Sequence, residues 1–169
     1  MNNLRVSSMK KSSTVFLQVV VVLIGIVALA IMIRFPLTEG RAANLDLFSI
    51  YADPFLVYGY LASISFFVAL YQAFKLLGYI GQSKVFSLDS VKALRNIKYC
   101  AIVLSVLIVI AAIYIRVSFN GNADDDPAGF IAVSIVTTFI SIVVATAAAV
   151  FERTLKSAVD IKSENDLTV

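Results

Sequence analysis

Groups able to do chemistry are scarce in this chain. Its 169 residues contain no histidine and one cysteine, Cys100. That removes a histidine general base, a Cys/His zinc cluster, a histidine-ligated haem and an internal disulfide. The remaining candidates are charged: Lys75 and Glu152 at the edges of apolar runs, the basic stretch Lys92, Arg95 and Lys98, and the acidic run Asp124, Asp125 and Asp126. Three adjacent carboxylates attract Ca²⁺ or a cationic peptide, but a calcium loop of the EF-hand type needs ligands at alternating positions and a glycine turn. A solvated acidic loop is therefore the expectation there. Inside the apolar runs the polar inventory is Ser, Thr, Tyr and Gln, with no nucleophile–base pair, carboxylate pair or metal set. The expectation is that the protein is not an enzyme and carries no cofactor.

The elements that position these groups are legible from composition. Hydrophobic residues make up 60% and charged residues 15% of the chain, with a mean hydropathy of +0.91. Soluble domains run nearer half apolar and a quarter charged. The excess falls in four blocks, at about residues 15–33, 54–80, 99–115 and 127–151. The first, at 19 residues, would span about 28 Å as a helix, enough for the hydrocarbon core. The blocks lack the polar alternation of barrel strands. Ala28-Leu29-Ala30 behind Arg5, Lys10 and Lys11 imitates a signal-peptidase site, but the apolar run continues past it, so a span is preferred over a cleaved leader. The predicted fold is an all-α integral membrane protein, one domain of four transmembrane helices in an antiparallel up-down bundle.

Charge orients the bundle. Arg5, Lys10, Lys11, Lys75, Lys84, Lys92, Arg95, Lys98, Arg153, Lys156 and Lys162, eleven in all, lie on the side of the termini and the middle connection, and only Arg34, Arg41 and Arg116 on the other. The positive-inside rule puts both termini in the cytoplasm, and the expected location is the inner (plasma) membrane. Six of the eleven acidic residues fall outside, making that face net negative. Tyr51, Tyr58, Tyr60 and Tyr114 form an expected outer aromatic belt, and Tyr71, Tyr79 and Tyr99 an inner one.

Asp53-Pro54 and Asp126-Pro127 stand where the second and fourth spans begin outside. In each pair the aspartate is a helix cap and the proline suits the first helical position. Rows of small and polar residues step by 4 and 3: Tyr58, Ala62, Ser65, Ala69, Gln72 and Leu76 in the second span, and Ser134, Thr138, Ser141, Ala145, Ala148 and Glu152 in the fourth. Such rows face other helices, with hydroxyls available to bond across; the alternative is that they line a water-filled path. Lys75 and Glu152, matched in depth and opposite in sign, form a candidate inner-interface ion pair, with snorkelling of Lys75 to headgroups as the plainer reading.

Two segments on the inner side offer themselves to partners. Residues 87–98 read as a basic amphipathic helix with Ser87 as N-cap, Val91, Leu94 and Ile97 on one face and Lys92, Arg95 and Lys98 carrying the charge. Anchoring to anionic lipid competes with docking of a protein there. The tail, 152–169, begins as a continuation of the fourth helix and ends in Glu164, Asn165, Asp166, Leu167 and Val169, a sequence that either frays or is captured by a cytoplasmic protein.

The segments FPLTEGRAANLD (35–46), Asp53-Pro54-Phe55, ALYQAFK (69–75), SVKALR (90–95), AAAVFER (147–153) and KSENDLTV (162–169) resemble, over essentially the whole chain, a bacterial family of four-span membrane proteins catalogued as a domain of unknown function. The resemblance brings no catalytic residues. It implies a context, since members are often encoded beside a small helix-turn-helix protein of the Cro/repressor type.

The preferred function is a membrane-embedded regulatory or interaction protein whose inner loop and tail engage a cytoplasmic partner, with a small DNA-binding protein as the candidate. Direct binding of nucleic acid by this chain is not expected. The alternative is a small transporter, channel or peptide-immunity protein that uses the polar seams and the acidic outer face. Besides the bilayer, a second copy of the chain is an open partner, because small-residue rows also serve dimers.

Overall fold

A computed structural model describes residues 2–38, 54–118 and 128–166, with side chains for 12–34, 54–118 and 128–165. The expected caps Asp53 and Asp126, the acidic run 124–126 and the terminal Leu167 and Val169 lie outside the described residues. Those residues form four helices and no strand: α1 (Asn2–Thr38), α2 (Pro54–Gly81), α3 (Leu88–Ser118) and α4 (Ala128–Asp166). All four are long and apolar enough to cross a membrane, where a helix satisfies its own backbone hydrogen bonds. The described residues of each expected span lie within one helix, but the helices run on. α1 has 37 residues, about 55 Å of helix, against a hydrocarbon core of about 30 Å.

Cross-helix contacts give the topology. Thr14 faces Gly81, Gln18 faces Gly78, and Tyr60 reaches Met32, so α1 and α2 run antiparallel. Tyr58 donates to the Leu107 carbonyl (2.7 Å), and Phe55 stacks on Tyr114 with ring centroids 6.4 Å apart, pairing α2 with α3 in the same sense. α3 and α4 meet from Arg95 and Glu152 at one end to Arg116 and Ile131 at the other. Packing is most extensive between α3 and α4, then α2 and α3, then α1 and α2; the other helix pairs barely touch among the described residues.

The connection between α2 and α3 shows how local chemistry turns the chain. Lys84 N–H donates to the Tyr79 carbonyl (2.8 Å) and Ser83 N–H to Ile80 (3.1 Å), with Ser83 in the left-handed region at φ 58°. This arrangement satisfies the carbonyls left open at a helix end. Ser87 then caps α3, as expected, by accepting from Ser90 N–H at 3.3 Å.

The fourth-span row is packed: Ser134, Ser141, Ala145, Ala148 and Glu152 are all buried. The bonded hydroxyls along α4 behave differently from the expectation of bonding across helices. Ser134 donates to Phe130 O in its own helix, and Thr137 and Thr146 likewise turn back to Val133 and Ile142. A hydroxyl in hydrocarbon finds its nearest acceptor one turn back. Thr138 Oγ1 is buried with no hydrogen-bond partner among the described residues. Tyr58 and Tyr60, expected in the outer belt, send their hydroxyls to neighbouring helices. The bond from Tyr60 to Met32 O (3.1 Å) has a reason in the sequence, since Pro36 lacks the N–H that would otherwise serve that carbonyl.

Candidate functional site

The most heavily buried stretch among the described residues is the start of α3, at the end of the bundle where α1 begins and α4 ends. Ser90, Val91, Ala93 and Leu94 are buried, with Ser90 at 0% exposure; its hydroxyl donates to the Lys84 carbonyl (3.3 Å). The apolar face expected to rest on lipid is thus enclosed by protein. Three turns of helix carry the chain from this seat directly into the span, with Lys92 and Arg95 on the exposed side.

Arg95 and Lys98 are three residues apart and share a face of α3, which α4 meets at Glu152. Arg95 Nε donates to Glu152 Oε1 at 2.7 Å and Lys98 Nζ to Oε2 at 2.6 Å, with 10% of the glutamate side chain exposed. Lys75 therefore does not pair with Glu152, a correction to the sequence reading. α3 stands between α2 and α4, and two cations already occupy both carboxylate oxygens. The Lys75 ammonium lies instead 5.3 Å from the ring centre of Tyr71 on its own helix, a cation–π contact.

Glu152 sits one residue past the apolar run that ends at Phe151, outside the spanning segment. The hydrogen bonds from Lys98 and then Arg95 hold its carboxyl below the usual carboxylate range. A carboxylate so held fastens two helices where they leave the apolar zone and is ill-suited to trading protons. Two of the three basic residues expected to meet a partner are therefore turned inward in part, and Lys92 alone is fully given to the surface. The sequence carried one signal for the Arg95–Glu152–Lys98 cluster, that consecutive helices are usually neighbours, but chain order does not fix which cation meets the carboxylate.

Beyond Glu152 the helix does not fray. Residues 153–166 continue α4, including Glu164, Asn165 and Asp166 of the expected tail. Those fourteen residues extend about 21 Å and expose Arg153, Lys156, Asp160, Lys162 and, at 62%, Ile161.

Residues 13–169 match the family described as "Protein of unknown function (DUF2975)". The chain belongs to this family. It is also 46% identical over 164 residues to the protein named "Uncharacterized membrane protein YoaS" of Bacillus subtilis (strain 168), an alignment covering 95% of this chain and 100% of the relative. No solved structure matches. With four apolar helices in hand, the chain is a multi-pass membrane protein, as the resemblance seen in its sequence implied.

Proposed function

We propose that this is a membrane-embedded regulatory or interaction protein that engages a soluble cytoplasmic partner through the paired ends of α3 and α4. The observation that carries the reading is the extension of α4 to Asp166 as ordered helix beyond the Glu152 cluster. A helix that runs past the apolar span and exposes Ile161 offers an amphipathic surface of the kind that a soluble protein groove takes up. The excess of basic residues at this end supports a cytoplasmic orientation by the positive-inside rule. A small helix-turn-helix protein is the partner to test first, by the family context. Transport through the polar seams fits less well, because the α4 row is packed against α3 and its Ser134 hydroxyl turns back on its own helix.

The test is an affinity pull-down from native membranes in mild detergent, comparing the full chain with a truncation after Lys162 and with Ile161→Glu, and identifying bound proteins by mass spectrometry. A DNA-binding protein retained by the full chain and lost from both variants is the expected result. If both variants keep everything that the full chain binds, or if none binds a soluble protein, the reading fails.

A further inference from the structure

One flank of the α3–α4 pair is grooved. Near the end where α3 begins lies a hollow of about 520 Å³ lined by Lys98, Ile102 and Ser105 of α3 and by Thr146, Ala149 and Arg153 of α4, among others. The hollow exists because small side chains stand where bulky ones would fill it. Its floor has little polar demand, since Ser105 donates to Ile102 O (2.8 Å) and Thr146 to Ile142 O (2.9 Å). Ile142 also lines a second, largely apolar hollow of about 600 Å³ that continues toward Arg116, so the trough has length as well as width.

The mouth is charged. Lys98 and Arg153 both line the hollow, and Glu152 is the one carboxylate held by Arg95 and Lys98, so this end of the groove is net positive. Arg153 is exposed, and no ion pair or hydrogen bond engages it among the described residues. An apolar trough at hydrocarbon depth that opens onto cations at the boundary has the shape and charge order of one amphiphile, and basic pockets between helices at the cytoplasmic boundary take anionic headgroups. The size lies within the range of small-molecule sites.

We propose that this groove binds an anionic phospholipid, with its phosphate at Arg153 and Lys98 and an acyl chain along Ile102 and Ala149. Binding there adds a ligand beside the Glu152 cluster, so lipid composition would bear on the junction from which α4 projects.

The chain has no tryptophan, which makes a single introduced one an unambiguous reporter. The full-length protein carrying Val106→Trp, at an exposed position one turn beyond the groove-lining Ile102, is reconstituted in phosphatidylcholine vesicles containing bromine-labelled phosphatidylglycerol or bromine-labelled phosphatidylcholine. Quenching gives the relative affinity at that site. A preference of roughly fivefold or more for phosphatidylglycerol is expected, from about one strongly engaged cation. Arg153→Gln should bring the ratio close to one. Ala149→Leu, which fills the trough and leaves every charge in place, should also abolish the preference. A reporter at Ile140→Trp, on the far side of α4, should show no preference. The proposal is overturned if both reporters show the same ratio, if neither groove variant changes it, or if neither lipid quenches Val106→Trp, the last being what a second copy of the chain seated in the groove would produce.

Discussion

The α3–α4 pair and the α1–α2 pair are both antiparallel helical hairpins in membrane, yet they are held together by different means. On α3 and α4 small residues recur along facing rows, and Ala101, Ala111, Ala145 and Ala148 are all buried. The pair is then fastened at one end by two cations on Glu152. α1 is bulky and branched nearly all round, with runs such as Val19-Val20-Val21-Val22; among its described side chains only Thr14 is buried, and no residue of α2 is. Glycine allows close approach of α1 to α2 near Thr14 and Gln18. A Cβ on Gly81 would lie 3.2 Å from Thr14 Cγ2, and one on Gly78 would lie 3.4 Å from Gln18 Nε2, whose amide donates to Phe74 O at 3.3 Å. Where lipid is as apolar as leucine, side-chain size and shape decide which helices bind, and the two hairpins show both outcomes.

That contrast can be broken by overfilling the tight seam. Ala148→Leu should push α3 and α4 apart and cost about 1–3 kcal/mol, while Val27→Leu, at a position 56% exposed on α1, should stay within about 0.5 kcal/mol. Equilibrium unfolding in mixed detergent micelles measures both, and equal effects would erase the distinction between the hairpins.

The ionic fastening should yield a smaller effect. Glu152→Gln removes the charge and keeps the shape. It should cost about 1 kcal/mol, less than a fully buried charged hydrogen bond because Arg95 is half exposed. The carboxyl is held below its ordinary value of 4.5, so its contribution is complete above that value and is lost as pH falls through the lower folded one. The stability gap between wild type and Glu152→Gln should therefore be flat from about pH 6 to 8 and close below about pH 4.5. A gap that instead closes on raising the pH would show that the carboxylate is not what the cations hold.

The smallest effect is expected on the looser hairpin. Tyr60→Phe deletes the hydroxyl that serves Met32 O and should cost about 0.6 kcal/mol, the average for hydrogen bonds between helices in membrane. Restoring an N–H with Pro36→Ala should reduce that cost, and the double-mutant cycle reads the coupling.

Much of this molecule was legible before any coordinates. Apolar length determined where the four helices lie, because a bilayer imposes its thickness on each span separately and no partner helix is needed to apply it. The α4 row from Ser134 to Glu152 and the Ser87 cap were readable for a similar reason: both are local, one a matter of helical period and the other of a side chain three residues from the N–H it accepts. What only the tertiary structure decided is which of several equivalent groups meet. Lys75, Arg95 and Lys98 all offered a cation at the depth of Glu152, and helix adjacency alone chose between them. Val91 and Leu94 suited lipid and protein equally well, and the fold enclosed them. Depth and face are set by the chain's own periodicity, whereas pairing depends on which helices are neighbours, a property of the assembled bundle.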